Sequence, residues 1–561
     1  MAEPGTPARP DPAATLAILL NCVIDGAQHR PDADTTAAIL DEAARFAARH
    51  IAPVATLLDR PGCRLESGRV RTAPGHRDAW RAFAEAGWAG LTVAEAAGGG
   101  GLPMALAAAV QELCDAASPA FGMLAINARC ASRLLAQHGD PAIRDAWLPQ
   151  LAAGRWTATI CISEPQAGSD VGRIRTRAEQ DAGGTWRLYG EKCWISFADH
   201  DLADRIGHFV LARPRGAEGG TRGLSLFLVP DSTEDGSRNG VSILRLEEKL
   251  GLHGSPTCSL LFEGAEATPI GPAGRGLPTL FAMIVAMRLG VAAQGAAVAQ
   301  AAADLAELYA AERTQGGPAG APPVPITNHA EIRRLLLSMR ARAEAVRLIS
   351  LQAAAWVDAG DAGDAAAAAR AALLLPLAKT LSAEAATRNA DAAIQVLGGA
   401  GYVREWPAER MWRDARVFAI YEGTTAIQGL DLLLRRVPAE GGATLRDLLH
   451  HFAPSAELAG TVLDTAEALL AASPRAREAA AVPFLHLLGL ACADGLLRRA
   501  GQQAGPLAPR YAALADFHAA EAAERAAFLA ARCRRDDLDA GFAAAFPELA
   551  APAASPAPTG A

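Results

Sequence analysis

The spacing of apolar residues changes period twice along this 561-residue chain, and that double change limits the fold more than any other feature. Residues 35–155 read as helical. Ile39, Ala43, Phe46, Ala47 and Ile51 recur close to every 3.6 residues. Asp34 and Thr35 are residue types that cap a helix start. Gly98 to Gly101, followed by Leu102 and Pro103, interrupt the pattern, because four glycines and a proline do not hold a helix. Met104 to Cys114 and Ala120 to His138 resume it. From Trp156 the chain reads as short β-prone runs: Thr157–Ser163, Thr185–Tyr189, His208–Ala212, Leu224–Val229, Val241–Leu246 and Cys258–Phe262. Gly, Asp and Asn turns separate them, which predicts a sandwich or barrel. No helix lies between them, so a parallel doubly wound sheet is not expected. Leu280 to Leu434 returns to long Ala- and Leu-rich helical patterns, broken by the Pro/Gly loop Gly316–Pro325. Residues 439–549 form a further helical segment, and 550–561, rich in Ala and Pro, read as a disordered tail.

Composition narrows the function classes. The net charge is −8, so an overall basic footprint for nucleic acid is absent. Lysine occurs only at 192, 249 and 379, and the remaining basic residues are arginine. The nine cysteines are scattered, odd in number and without a C-x-x-C pair. That predicts reduced thiols and no zinc site. No run of about 20 apolar residues free of charges and helix breakers is found, so no transmembrane segment is expected. The apolar stretch Ala14–Ile24 has only Arg9 as a basic residue before it and no convincing cleavage site after it, so no signal peptide is expected. The expected location is cytoplasmic. The phosphate-binding G-x-x-x-x-G-K-[ST], the dinucleotide G-x-G-x-x-G, the metalloprotease H-E-x-x-H and the hydrolase G-x-S-x-G are all missing.

Five motifs remain. Ser163-Glu-Pro-Gln-Ala-Gly-Ser-Asp170 follows a strand directly, and Trp194-Ile-Ser196 ends the next hairpin. Gln395-Val-Leu-Gly-Gly-Ala-Gly-Tyr402 lies after an Ala-rich helix, and Arg413-Asp-Ala-Arg416 precedes Tyr421-Glu-Gly-Thr-Thr425. Singly, each also fits a bland role: a surface bend at Ser163–Asp170, a helix stop at Gly398–Gly401, a first-turn acid at Glu422. Together, in this order and on this layout, they resemble the acyl-CoA dehydrogenase family of FAD flavoenzymes over residues 35–438. Arg60-Pro-Gly-Cys-Arg-Leu-Glu66, Gly87-Trp-Ala-Gly-Leu91, His200-Asp-Leu202 and Glu248-Lys-Leu-Gly-Leu-His-Gly254 resemble a long bacterial branch of it. Pro483-Phe-Leu-His-Leu-Leu-Gly489 resembles that branch's extra C-terminal helices.

The resemblance implies an α+β fold. It would have an N-terminal segment (1–34), an N-terminal helical domain (35–155) and a middle antiparallel β-barrel or sandwich (156–275). A C-terminal four-helix bundle (276–438), an extra C-terminal helical unit (439–549) and the tail (550–561) would follow. It further implies α,β-dehydrogenation of an acyl-CoA thioester to the trans-2-enoyl-CoA, with Glu422 as the α-proton base and hydride transfer to FAD N5. FAD contacts are expected from Ile162, Ser163, Gly168, Ser169, Trp194, Ser196 and Thr424. From a neighbouring subunit they are expected from Arg313, Gln395, Gly398 and Gly399, hence a homodimer or homotetramer. Ser169, Arg288 and Gly423 are the expected substrate contacts, and an electron-transfer flavoprotein is the expected acceptor. Three positions depart from the family's pattern. Arg313-Thr-Gln-Gly-Gly317 lacks an aromatic partner, Ala426 replaces a Gln or Glu, and Val285 replaces an acid or amide. An acyl-CoA oxidase that uses oxygen is one alternative. A DNA-associated flavoprotein is another, although residues 439–561 carry 10 Arg, no Lys and 14 acidic residues, where phosphate contacts require clustered basic side chains.

Overall fold

A computed structural model describes residues 10–26, 30–535 and 537–550. The N-terminal part holds α1 (Pro12–Cys22), α2 (Ala33–Phe46), α3 (Ala55–Asp59), α4 (His76–Glu85), α5 (Met104–Ala117), α6 (Pro119–His138) and α7 (Pro141–Ala152). Helix α1 lies inside the segment 1–34, where no element was expected; Leu16, Leu19 and Leu20 bury it in the main core. The cap of α2 is Asp32, not Asp34 or Thr35: its carboxylate accepts from the Thr35 N–H at 2.8 Å. A small hairpin, β1 (Arg64–Glu66) with β2 (Arg69–Arg71), interrupts the helices. Its three-residue strands are too short for a period-2 signal. The expected tail falls on 551–561, outside the described residues, apart from Ala550, which ends a helix.

The middle part contains β3 (Trp156–Cys161), β4 (Arg177–Gln180), β5 (Trp186–Ser196), β6 (Arg205–Pro214), β7 (Ser225–Pro230), β8 (Val241–Leu246) and β9 (Thr257–Ile270). Strands β6, β4, β5, β9 and β7 pair in a closed ring, with β3 added beside β6 and β8 beside β9. The barrel is therefore mixed, not purely antiparallel: β3–β6 and β4–β6 run parallel. Parallel neighbours need long crossovers, and the 43 residues between β3 and β6 supply one by way of β4 and β5, not by way of a helix.

The C-terminal part opens with α8 (Gly276–Glu312), α9 (Ala330–Asp361) and α10 (Ala365–Leu397), followed by the short α11 (Gly399–Tyr402), α12 (Ala408–Ala415) and α13 (Thr425–Asp431). Then come α14 (Ala443–Phe452), α15 (Ala456–Ala471), α16 (Pro474–Gln503), α17 (Ala508–Cys533), α18 (Leu538–Ala545) and α19 (Pro547–Ala550). Helices α8, α9 and α10 pack against one another, and α13 lies on α10 and α16. Helices α14–α17 share one continuous hydrophobic core with α1–α7 and with the bundle. A buried polar cluster ties them further: Arg347 of α9 donates to Glu112 of α5 at 2.7 Å and to Glu344 at 2.9 Å, and the Tyr511 hydroxyl of α17 donates to Glu344 at 2.7 Å.

Helices α8, α10 and α16 are long and apolar enough to cross a membrane by length and composition, although charges such as Arg288, Arg370, Lys379 and Asp494 interrupt them. Between 61% and 78% of their most apolar windows is buried inside the protein, so their apolar surface is used by the core. Small residues let these helices approach closely. A Cβ on Gly295 of α8 would lie 2.4 Å from the Ser382 carbonyl carbon of α10. Gly295→Val should therefore push α8 and α10 apart, costing about 1–3 kcal/mol as overpacking does, read as a lower denaturation midpoint with unchanged slope.

Candidate functional site

A buried ion pair anchors the segment that begins at Ile162. Lys192 and Glu164 are almost wholly buried, with Nζ 2.8 Å from Oε1. Lys192 also donates to the Ile162 carbonyl at 2.9 Å, and the Cys193 N–H donates to the Ser163 carbonyl at 3.0 Å. Glu164 further accepts from the Arg175 and Thr176 N–H groups and from the Thr176 hydroxyl. A carboxylate with this many donors does not move, so residues 162–164 are held against β5. Gly168 and Ser169 stand exposed at the far side of the loop, and a Cβ on Gly168 would meet no atom within 4 Å.

Strand β5 bulges between Lys192 and Ile195. Such a bulge turns a side chain out of its alternating position. Here Trp194 takes φ +64° and leaves its indole 62% exposed in a strand whose neighbours are buried. A left-handed backbone on a bulky residue is rare and marks a constrained site. The Asn127 amide of α6 donates to the Ser196 carbonyl at 3.3 Å, fixing the end of the strand.

Glu422 sits in a second left-handed turn, at φ +55°, followed by Gly423 at +93°. Three buried or half-buried side chains hold that turn. Lys379 of α10 donates to the Gly423 carbonyl at 2.7 Å, Gln428 donates to the Glu422 carbonyl at 2.9 Å, and the Tyr421 hydroxyl donates to Gln294 of α8 at 2.6 Å. Thr424 caps α13, its hydroxyl facing the Ile427 N–H at 3.4 Å. Glu422 is partly accessible yet deeply surrounded, and desolvation raises its pKa; Lys379 and then Arg288 pull in the opposite direction. Lys379 itself is fully buried and lowered to about 8, chiefly by desolvation. Arg288 is bridged to Asp431 at 3.2 Å.

Helix α6 connects the two turns. Asn127 reaches Ser196, and Cys130, one turn on, feels the charge of Glu422. Ile162, Ser163, Trp194 and Ser196 thus belong to one wall, and Glu422, Gly423, Thr424 and Arg288 to a neighbouring one. Arg313, Gln395, Gly398 and Gly399 are not brought to either wall. They stand at the opposite end of the bundle, where Arg313 caps α8 and Gly398 caps α10. Twenty-five residues of helix separate Arg288 from Arg313, roughly 37 Å along the axis. In one chain the two groups cannot touch the same small molecule.

The exposed flat face of Trp194, the open space above Gly168, and the hydroxyls of Ser163, Ser169 and Thr424 suit a planar ring on a polyhydroxylated phosphate chain. Lys379, Gln428 and Gln294 did not emerge from the sequence. Lys379 carried a signal, as one of only three lysines: all three donate to a backbone carbonyl of the loops at 162, 255 and 423. Gln294 and Gln428 carried none.

Residues 33–155, 159–265 and 274–437 match the acyl-CoA dehydrogenase N-terminal, middle and C-terminal domains in turn. The chain is 36% identical over 473 residues to 3-methylmercaptopropionyl-CoA dehydrogenase of Ruegeria pomeroyi, covering 82% of this chain and 80% of that protein. It is 35% identical over 440 residues to the broad-specificity linear acyl-CoA dehydrogenase FadE5 of Mycobacterium tuberculosis, covering 74% and 72%. Among solved structures, an acyl-CoA dehydrogenase from Bacillus anthracis complexed with FAD superposes with a TM-score of 0.77 at 21% identity, covering 94% of this chain and 93% of that one. A glutaryl-coenzyme A dehydrogenase complex superposes with a TM-score of 0.61 at 28% identity, covering 72% and 95%.

Glu164→Ala leaves Lys192 buried without its carboxylate. Loss of one partner of a buried pair costs about 3–5 kcal/mol. The variant should therefore melt earlier and, where still folded, bind FAD more weakly, as checked by flavin fluorescence titration.

Proposed function

The chain belongs to the acyl-CoA dehydrogenase family, FAD-binding oxidoreductases that act on CH–CH donors, and from that premise we propose that Glu422 removes the α proton of an acyl-CoA thioester to give the trans-2-enoyl-CoA. The observation that carries this reading is a carboxylate on a strained, three-way-anchored turn, in a water-poor recess beside the Trp194 wall.

An α proton next to a thioester is weakly acidic, so the base has to be both strong and placed. Desolvation strengthens Glu422 by destabilising its charged form. Lys379 and Arg288 oppose that rise, because their charges favour the carboxylate. The hydrogen bonds on the Glu422 and Gly423 carbonyls fix the backbone, so the side chain starts from one position. Positioning of this kind lowers the barrier without further reorganisation. By the family resemblance, the Glu422 N–H holds the thioester carbonyl oxygen, where enolate-like charge develops. FAD, when bound, supplies the acceptor for the hydride that leaves the β carbon. Ser163, Ser169, Trp194, Ser196 and Thr424 would hold it on this chain, with Ile162 and Gly168 lining its approach. Arg313, Gln395, Gly398 and Gly399 would serve the site of a second copy, since they lie too far from Glu422 in their own chain. The reading therefore includes a homo-oligomer and an electron-transfer flavoprotein as acceptor.

Glu422→Gln should retain the yellow, FAD-bound protein but lose anaerobic bleaching by acyl-CoA by about 10²–10⁴-fold or more; near-normal bleaching would refute the assignment. A panel of short, branched, thioether and aryl acyl-CoAs in the same assay identifies the chain accepted, and rapid peroxide release in air would mark an oxidase. The activity should fall on the acid side as Glu422 takes up a proton. Lys379→Met removes a cation that favours the carboxylate, so the Glu422 pKa should rise further. The acid limb of kcat/KM against pH should shift to higher pH in that variant; a shift to lower pH would contradict the electrostatic role.

A further inference from the structure

A cavity of about 190 Å³ lies between α6, α8, α9 and α10, with Arg436 at its edge. That is well above the roughly 10–15 Å³ one water needs. Its walls are of two kinds. Val285, Val357, Leu375 and the small side chains of α10 make an apolar sleeve. Against it stand three arginines, Arg133, Arg288 and Arg436, and one carboxylate, Asp361, which is taken up by Arg133.

These guanidiniums are short of acceptors. Arg133 is paired with Asp361, with Nη2 at 2.8 Å from Oδ1. Arg288 and Arg436 share a single oxygen of Asp431, at 3.2 and 3.6 Å. The longer contact is beyond hydrogen-bond reach. Arg435, on the surface, draws on the same carboxylate at 3.7 Å. Arg288 is 7% exposed, and its Nε has no partner; the Nε atoms of Arg133 and Arg436 are buried and without partners too. A guanidinium has five donors, and a buried one left unsatisfied carries a substantial desolvation penalty. The Phe281 ring, 5.8 Å from both Arg288 and Arg436, attracts the two cations without supplying a strong acceptor. Within 4 Å, then, two carboxylates serve the three cations that line this cavity, among the described residues.

We propose that this cavity is a binding site for a small monoanionic carboxylate with a short hydrocarbon body. The carboxylate would supply acceptors that Asp431 cannot divide between Arg288 and Arg436, in the paired geometry guanidinium favours. The hydrocarbon would lie along Val285 and Leu375. Two sources offer this chemistry: a free carboxylic acid, or the far acid end of an acyl chain whose thioester sits at Glu422. Arg288 lines the cavity and its charge acts on Glu422, so the second source rests on the role proposed for Glu422.

Calorimetric titration of sodium hexanoate into the FAD-loaded full chain is expected to show saturable binding. Hexan-1-ol should bind at least about tenfold more weakly, because it lacks the charge that the guanidiniums meet. Ala372→Phe, which fills the cavity from α10, should abolish hexanoate binding while leaving the flavin spectrum and thermal midpoint near those of the parent. If that variant does not fold, Val285→Asp, which places a carboxylate in the cavity from α8, should abolish it by supplying the anion. Competition then identifies the source. Displacement of hexanoate by adipoyl-CoA and not by hexanoyl-CoA assigns the cavity to the acid end of a thioester chain; displacement by neither assigns it to a free carboxylate. Absence of saturable binding, equal binding of the alcohol, survival of hexanoate binding in a folded cavity-filled variant, or displacement by hexanoyl-CoA as well would each overturn the proposal.

Discussion

The hydrogen bond from Lys379 to the Gly423 carbonyl joins the buried helix α10 to the left-handed turn that carries Glu422. Glu422 at φ +55° and Gly423 at +93° would not hold that shape alone. The turn persists because Lys379 on α10, Gln428 on α13 and Gln294 on α8 fasten it from three sides. Each fastening group is buried, and a buried donor or acceptor left without its partner is costly. The helices therefore cannot shift without breaking these bonds, and the turn cannot relax without leaving them unmade. The same lysine sets the electrostatics, because its charge opposes the desolvation that raises the Glu422 pKa.

The β-barrel is tied to α6 by the Asn127–Ser196 contact, and Lys192 in the barrel and Lys379 at the turn play like parts. Both use one device: a buried charge hydrogen-bonded to backbone, so that a loop becomes as rigid as the core beneath it. Lys192 fixes Ile162 and β5 together, and the bulge that follows turns Trp194 outward. Close packing of α8 on α10 at Gly295 keeps the two helices near enough for Gln294 and Lys379 to reach the same turn. Stability and candidate chemistry thus depend on the same few contacts. Helices α14–α17 add to this core, α16 by packing on α13 and α17 through the hydrogen bond from Tyr511 to Glu344 of α9.

Much of the architecture was legible in the sequence because helix and strand periods are local. The change at Trp156 and the return near Leu280 mark real changes of structure, and the helices after 439 are where their spacing places them. The β1–β2 hairpin and β4 were not legible, since strands of three or four residues carry too little alternation. Helix α1 was overlooked although Asp11 caps it with two hydrogen bonds, because a Pro-rich start masked the cap. The parallel pairings of β6 were not legible either, as nothing in a strand's own residues names its neighbour. For the site, the motifs around Ser163, Trp194 and Glu422 are contiguous and could be found. Of the groups that fasten the Glu422 turn, Gln428 is six residues on and carries no motif, while Lys379 and Gln294 lie 44 and 127 residues from the residues they hold and could not be found.

The sequence by itself determined which segments are helix or strand, where the unusual turns fall, and which carboxylate stands beside a glycine. These depend on local sterics and on interactions a few residues apart. The tertiary structure alone decided that Lys379, Gln294 and Arg288 surround that carboxylate, that Arg313 stands a bundle's length away from it, and that three arginines divide two carboxylates around one cavity. Burial and charge pairing arise only when distant segments exclude water together, so a linear reading holds the participants but not their distances.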